Sequence, residues 1–150
     1  MSRVQLALNV SDLGSAVEFY SKLLNTGPAK VRPGYANFVV ADPPLKLVLI
    51  EGETGGTLNH LGVEVETTEL VHAAHERLAL AGLATAPEDG VACCYAVQDK
   101  VWLDDPDGAP WEIYTVLADV EMPAGQLRAR DPQQAMCCAS APESAARCCD

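Results

Sequence analysis

The chain is short of basic side chains: 10 Lys and Arg stand against 21 Asp and Glu in 150 residues, a formal net charge of -11. A surface so negative repels phosphate backbones and anionic headgroups, which argues against nucleic acid and membranes as partners and suits a cation or a neutral small molecule. Long apolar runs are missing too. Nothing approaches the roughly 18 apolar residues of a membrane-spanning helix, and no apolar segment follows a basic start. A cytoplasmic protein is expected. Isolated cysteines are also absent, because all 6 fall in adjacent pairs, Cys93-Cys94, Cys137-Cys138 and Cys148-Cys149. Neighbours on the chain rarely bridge each other, since the small ring strains the peptide between them. A secreted disulfide framework is therefore disfavoured, and soft-metal or metalloid chemistry moves up.

What is present is a chain 49% hydrophobic, enough for the core of one ordinary domain. Shifting the sequence by 55 residues lays "QLALNVSDLGSAVEFYSKLLNTG" (5–27) over "HLGVEVETTELVHAAHERLALAG" (60–82) without a gap. Leu6, Leu8 and Val10 then match Leu61, Val63 and Val65, each set alternating as a half-buried strand does. The period changes next from two to about 3.6. Leu13, Ala16, Val17, Tyr20 and Leu24 form one helical face, and Leu70, Val71, Ala74, Leu78 and Ala81 form the other. Ser11 is the expected N-cap of the first helix and Thr67 or Thr68 of the second, with Gly27 and Gly82 as stops.

After the helices come "YANFVVA" (35–41) and "LKLVLIE" (45–51), then, in the second half, "CCYAVQDKVWLDD" and "PWEIYTVL" around the turn "DPDG". The predicted fold is α+β: two βαβββ modules, about 3–51 and 58–118, joined by "GETGG" into one domain over residues 1–120. Helices on one face leave a curved mixed sheet free to wrap a site with the other. Residues 121–150 lack a sustained period and are expected to form a flexible, cysteine-containing tail.

Strand alternation assigns faces. If Leu6, Leu8 and Val10 face the helix, Gln5, Ala7 and Asn9 face away, and by the same rule so do His60, Gly62 and Glu64. With Trp111 and Ile113 on the helix side, Glu112 and Tyr114 join the opposite face. Gln5, His60 and Glu112 are thus expected to converge from three strands. An imidazole, a carboxylate and an amide oxygen, with positions left open, approximate the facial site of non-haem Fe(II) enzymes. The alternative is an ordinary strand glutamine beside a hydrogen-bonded histidine. His72 and His75, three apart on the second helix, have no Glu or Cys partner in register and read as surface or core histidines.

The double module, with His60 opening its second half and "DPDGAPWEIY" closing it, resembles the vicinal oxygen chelate superfamily, the glyoxalase and extradiol-dioxygenase clan, over about residues 3–117. The narrower stretch "ACCYAVQDKVWLDDPDG" (92–108) resembles the organoarsenical carbon–arsenic lyases, relatives of the cadmium-induced proteins. That resemblance implies Fe(II) bound by Gln5, His60 and Glu112, O2 as co-substrate, and Cys93 and Cys94 as thiols that take a trivalent organoarsenical, methylarsenite or an aromatic one, for cleavage to arsenite. Gln5 departs from the histidine that most such proteins carry.

Trivalent arsenic is soft, so two thiolates can replace two of its exchangeable oxygen ligands while its carbon stays attached. Successive strand residues point oppositely, so Cys93 and Cys94 require a loop or bulge to reach one atom, and "GVACCYAVQDK" is expected to include a mobile segment. Lys100 is a candidate catalytic residue there, weighed against a solvated charge pair with Asp99. Tyr95 and Tyr114 are candidates for the pocket wall or for packing. The competing function is non-catalytic cadmium or arsenite binding, to which Cys137, Cys138, Cys148 and Cys149 could also contribute. A monomer or homodimer serves either.

Overall fold

A computed structural model describes residues 1–93 and 95–121, with Cys93 described by its backbone alone. The element order is β1 (Arg3–Val10), α1 (Leu13–Leu24), β2 (Lys30–Arg32), β3 (Tyr35–Val40), β4 (Leu45–Glu51), β5 (Thr57–Glu64), α2 (Thr68–Leu80), β6 (Ala86–Cys93), β7 (Ala96–Asp104) and β8 (Pro110–Asp119). The strands form one mixed sheet in the order β2-β3-β4-β1-β5-β8-β7-β6. Each half is a βαβββ module. In the first, β1 lies parallel to β4; in the second, β5 lies parallel to β8; the antiparallel β1–β5 pair joins them.

Period-two patterning gives each face its own contents. Leu6, Leu8 and Val10 meet Leu13, Ala16, Val17, Tyr20 and Leu24 of α1 around Ala36, Phe38, Leu47 and Leu49, which is the helix face the spacing predicts. In α2 the buried positions are Val71 and Leu78. Local chemistry moves the first helix's ends. Asp12, not Ser11, is the N-cap, its Oδ1 accepting from the Ser15 amide at 2.7 Å, and Asn25, ahead of Gly27, takes the left-handed cap with φ 51°. Thr67 caps α2 as expected, and Gly82 follows with φ 82°.

The other face curls over a cavity. Tyr95, between β6 and β7, packs against Tyr35 of β3 at 5.4 Å between ring centroids and donates its hydroxyl to the Pro33 carbonyl at 3.0 Å. Contacts between opposite ends of the sheet order require it to bend. Val120 then donates to the Tyr95 carbonyl at 3.0 Å, holding the end of β8 nearby. The stretch expected to form a loop around the first cysteine pair is mostly a hairpin, with Cys93 closing β6 and pairing with Ala96 of β7. Cys94, the four later cysteines and the expected tail lie outside the described residues. Among the described residues no helix is long and apolar enough to cross a membrane.

Candidate functional site

Gln5 on β1, His60 on β5 and Glu112 on β8 are buried on the concave face of a single chain. Register explains their meeting. Gln5 pairs with Gly62, and Gly62 pairs with Glu112, so the middle strand has no side chain where its two neighbours approach. A Cβ at Gly62 would sit 3.1 Å from Glu112 Cγ and 3.3 Å from Gln5 Nε2. His60 therefore enters from one position further along the same face.

Gln5 Nε2 lies 2.9 Å from Glu112 Oε1 and 3.1 Å from His60 Nε2, which are themselves 3.2 Å apart. Which imidazole nitrogen carries the proton follows from a chain of donors. Thr57 donates its hydroxyl to the Thr54 carbonyl at 2.8 Å, so its oxygen accepts from Asn9 Nδ2 at 2.9 Å. Asn9 Oδ1 then accepts from Asn59 Nδ2 at 2.9 Å, which leaves Asn59 Oδ1 facing His60 Nδ1 at 2.7 Å. Only an Nδ1–H completes the chain. The Nε2 lone pair thereby points at Glu112 and Gln5, the tautomer a metal ligand requires.

Glu112 is ionised in this setting. Burial is the largest single influence and pushes its carboxyl up, yet the opposing influences together, led by the Lys100 ammonium 3.1 Å from Oε2, hold it well below the usual carboxylate range. Lys100 is 2% exposed and also lies over the Trp102 ring, whose edge-on partner is His60. This corrects the expectation of a solvated Asp99–Lys100 pair on a loop. Both residues belong to β7 and face opposite sides, Asp99 accepting from Thr68 of α2 and the Gly90 amide. Alternation along β7 carried the signal, since Lys100 pairs in register with Tyr114 on β8.

Behind Gln5 the Tyr114 hydroxyl contacts Gln5 Oε1 and lies 3.0 Å from Glu64 Oε2. Burial, then the Glu64 and Glu112 carboxylates, push the Tyr114 phenol far above its ordinary value, so it remains a proton donor. Glu64 also accepts from Arg3 and Lys46, each at 3.0 Å. Burial opposes its ionisation, but Lys46 and Arg3 win and lower its carboxyl. Tyr95, by contrast, serves packing between the sheet ends.

The cluster opens onto a cavity of about 290 Å³ whose wall includes Tyr35, Asn37, Val48, Gln98 and Val116. Among the described residues no three His, Cys, Asp or Glu gather, and beside His60 and Glu112 the third polar group is the Gln5 amide. One imidazole nitrogen, one carboxylate oxygen and one amide are compatible with an open nitrogen- and oxygen-ligated site. Sequence reasoning missed Asn59. It reaches the site because the β1–β5 register shifts between Ala7 and Leu8, a bulge that no residue type announces.

Residues 3–113 match the Glyoxalase/Bleomycin resistance protein/Dioxygenase superfamily. A trivalent organoarsenical cleaving enzyme of Thermomonospora curvata is 63% identical, covering 81% of this chain and 82% of its own. Cadmium-induced protein CadI of Mycobacterium tuberculosis is 59% identical over 92% of this chain and 93% of its own. The solved Mn(II)-bound glyoxalase of Novosphingobium aromaticivorans, 17% identical, superposes with a TM-score of 0.58 over 84% of this chain and 44% of that one. That likeness concerns the fold. With the paired modules and the extent of the family match together, this chain belongs to the Glyoxalase/Bleomycin resistance protein/Dioxygenase superfamily.

Proposed function

We propose that this enzyme cleaves the carbon–arsenic bond of trivalent organoarsenicals, methylarsenite or aromatic arsenicals, to arsenite, with Fe(II) as its metal and O2 as co-substrate. The observation that carries the proposal is the His60 Nε2 lone pair, fixed by Asn59 and set beside the Glu112 carboxylate and the Gln5 amide. The name of the Thermomonospora relative supports the substrate class. Gln5, His60 and Glu112 are the proposed ligands. Fe(II) held there supplies one-electron activation of O2, which no side chain provides.

The remaining roles belong to the chain. Lys100 holds Glu112 ionised and aimed, so that one carboxylate oxygen stays committed to the ammonium while the other faces His60 and Gln5. Cys93 and Cys94 are the proposed thiols, replacing two oxygens on arsenic and leaving the carbon attached. A reducing compartment such as the cytoplasm keeps such thiols free. The overall change balances for the methyl substrate: CH3As(OH)2 and O2 give As(OH)3 and formaldehyde. Carbon is oxidised and dioxygen reduced, with no further reductant. Fixing both reactants in adjacent positions contributes several kcal/mol of the order that proximity provides.

Fe(II)-loaded protein incubated with methylarsenite in air is expected to release arsenite. Release should stop without O2 and in His60→Ala, and fall steeply in Cys93→Ser and Cys94→Ser. The name of the mycobacterial relative favours a second reading, cadmium or arsenite binding without turnover. Stoichiometric retention of methylarsenite under air, with no arsenite formed by the iron-loaded protein, selects that reading and rejects the catalytic one.

A further inference from the structure

Tyr114 has one hydroxyl proton and two acceptor oxygens beside it, Gln5 Oε1 and Glu64 Oε2. Only one can receive that proton, so in this orientation of Gln5 two oxygens face each other unbridged. At the other end of the same amide, Nε2 donates to both Glu112 Oε1 and His60 Nε2. It lies between the atoms that a cation would have to draw together. Nitrogen and oxygen of a glutamine amide are nearly isosteric, so a half-turn about the last side-chain torsion exchanges them within the same space.

After that half-turn the groups at the Tyr114 end are matched. Nε2 donates to the Tyr114 oxygen, the Tyr114 proton goes to Glu64, and Gln5 Oε1 joins His60 Nε2 and Glu112 Oε1. Three acceptors then face one point, an arrangement that only a cation stabilises. We propose that Gln5 is a two-position amide latch, its N–H groups bridging His60 and Glu112 in the cation-free site and its oxygen facing the cation in the loaded one, with Tyr114 and Glu64 as the positioning residues. The proposal rests on the metal site assigned to Gln5, His60 and Glu112. It gives a glutamine in this position a use of its own, because a half-turn of the amide exchanges donor and acceptor in nearly the same space. Glu64 can keep the Tyr114 proton because Arg3 and Lys46 hold its carboxylate in place.

The test uses the full chain and Zn(II), a diamagnetic divalent probe. The Gln5 side-chain amide signal is identified in nitrogen–proton spectra by its loss in Gln5→Glu. In metal-free protein its protons should show through-space contacts to the His60 ring. On adding Zn(II) the contacts should move to the Tyr114 ring, while the His60 ring signals shift. If the His60 signals shift but the amide contacts stay with His60, the latch is wrong and the metal site stands. No shift at His60 overturns both.

Affinity at the His60 site provides a second arm. In Glu64→Gln the new amide can donate to the Tyr114 oxygen and release its proton to Gln5, favouring the cation-free orientation. Zn(II) affinity, followed in a titration of the His60 ring signals, should fall roughly tenfold, the scale of partners that orient ligands. In a Gln5→Glu background no half-turn is required, and the same change should leave affinity within about twofold, well short of that scale. Equal losses in both backgrounds would mean that Glu64 acts only through the fold and would overturn the latch.

Discussion

The two modules share a backbone plan and divide the chemistry unequally. Register makes Ala7 of the first equivalent to Gly62 of the second, and makes Val48 equivalent to Glu112, because Ala7 pairs with Val48 as Gly62 pairs with Glu112. Gln5 and His60 occupy the matching strand positions. The first module thus brings one polar group to the centre and an apolar wall, and the second brings an imidazole and a carboxylate. The difference also shows around Tyr114, whose counterpart is Ile50: one side of the cavity is hydrogen-bonded and charged, while the other packs Ala7, Tyr35, Val48 and Ile50 with Tyr95. A duplicated scaffold with a few exchanged side chains places the imidazole and carboxylate of the cluster in one half and apolar residues at the equivalent positions of the other, while Arg3 and Lys46 of the first half still pair with Glu64 of the second.

The sharpest way to break that comparison is at the equivalent pair. Glu112→Ala removes the acceptor shared by Gln5, His60 and Lys100 and takes one carboxylate away from a 2% exposed ammonium. Losing one member of a buried ion pair costs about 3–5 kcal/mol, and arsenite release should vanish with it. Val48→Ala at the matching position loses only apolar burial, about 1.5–3 kcal/mol. Arsenite release per folded molecule should persist. Denaturant unfolding and arsenite assays on both variants check this; abolished turnover in Val48→Ala would erase the division between the modules.

Much of this asymmetry was legible in the sequence, and the reasons are geometric. Alternation in β1, β5 and β8 is uninterrupted where it matters, so the face of Gln5, His60 and Glu112 could be counted off from Leu6, Leu61 and Trp111. The helix face of α1 followed from a period of 3.6 in the same way. Less visible features depend on pairing between distant segments. The bulge that brings Asn59 beside His60 exists only in the ladder between β1 and β5. Short β2, Lys30–Arg32, and β6, with Pro87, Asp89 and Gly90, lack strand-like composition and are ordered by their neighbours. Lys100 resembled a surface charge because its partner is 12 residues away across a turn. That turn is fixed by Asp105, whose Oδ1 accepts from the Asp107 and Ala109 amides.

A smaller effect is expected where the modules differ by one methyl group. Ala7 is tolerated in the first, whereas an alanine at Gly62 would press on the Glu112 side chain and carbonyl at 3.1 and 3.2 Å. Glu112 and Gln5 must then shift by a few tenths of an ångström. Gly62→Ala should lower arsenite release roughly tenfold, since small misplacements of reacting groups are costly. Unchanged turnover would show that the spacing of the cluster is not limiting.

Acid should weaken the polar side of the cavity before it affects the apolar one. Glu64 and Glu112 both have carboxyls lowered from the ordinary 4.5 in the folded chain. The unfolded chain therefore binds protons first as pH falls. Their stabilisation is fully present above about 4.5 and is lost as pH drops through the folded values. Unfolding stability followed between pH 7 and 3 should decline in the acid range, and Glu64→Gln should make that decline shallower. An unchanged slope would assign the acid sensitivity elsewhere.

The smallest contrast lies at the helix starts, far from the chemistry. Asp12 Oδ1 is 2.7 Å from the Ser15 amide, whereas Thr67 Oγ1 is 3.4 Å from the Leu70 amide. A carboxylate at an N-terminus also opposes the positive end of the helix dipole, which a hydroxyl does not. Asp12→Ala should therefore cost more stability than Thr67→Ala, which should cost about 0.5 kcal/mol, the lower end for cap removal. Neither should alter Zn(II) affinity or arsenite release at a temperature where both variants stay folded. The cluster hangs on β1, β5 and β8, and those strands are tied by their ladders rather than by the caps. A cap variant that changed metal affinity would show that α1 or α2 transmits its position to the concave face, and the division between scaffold and site would have to be redrawn.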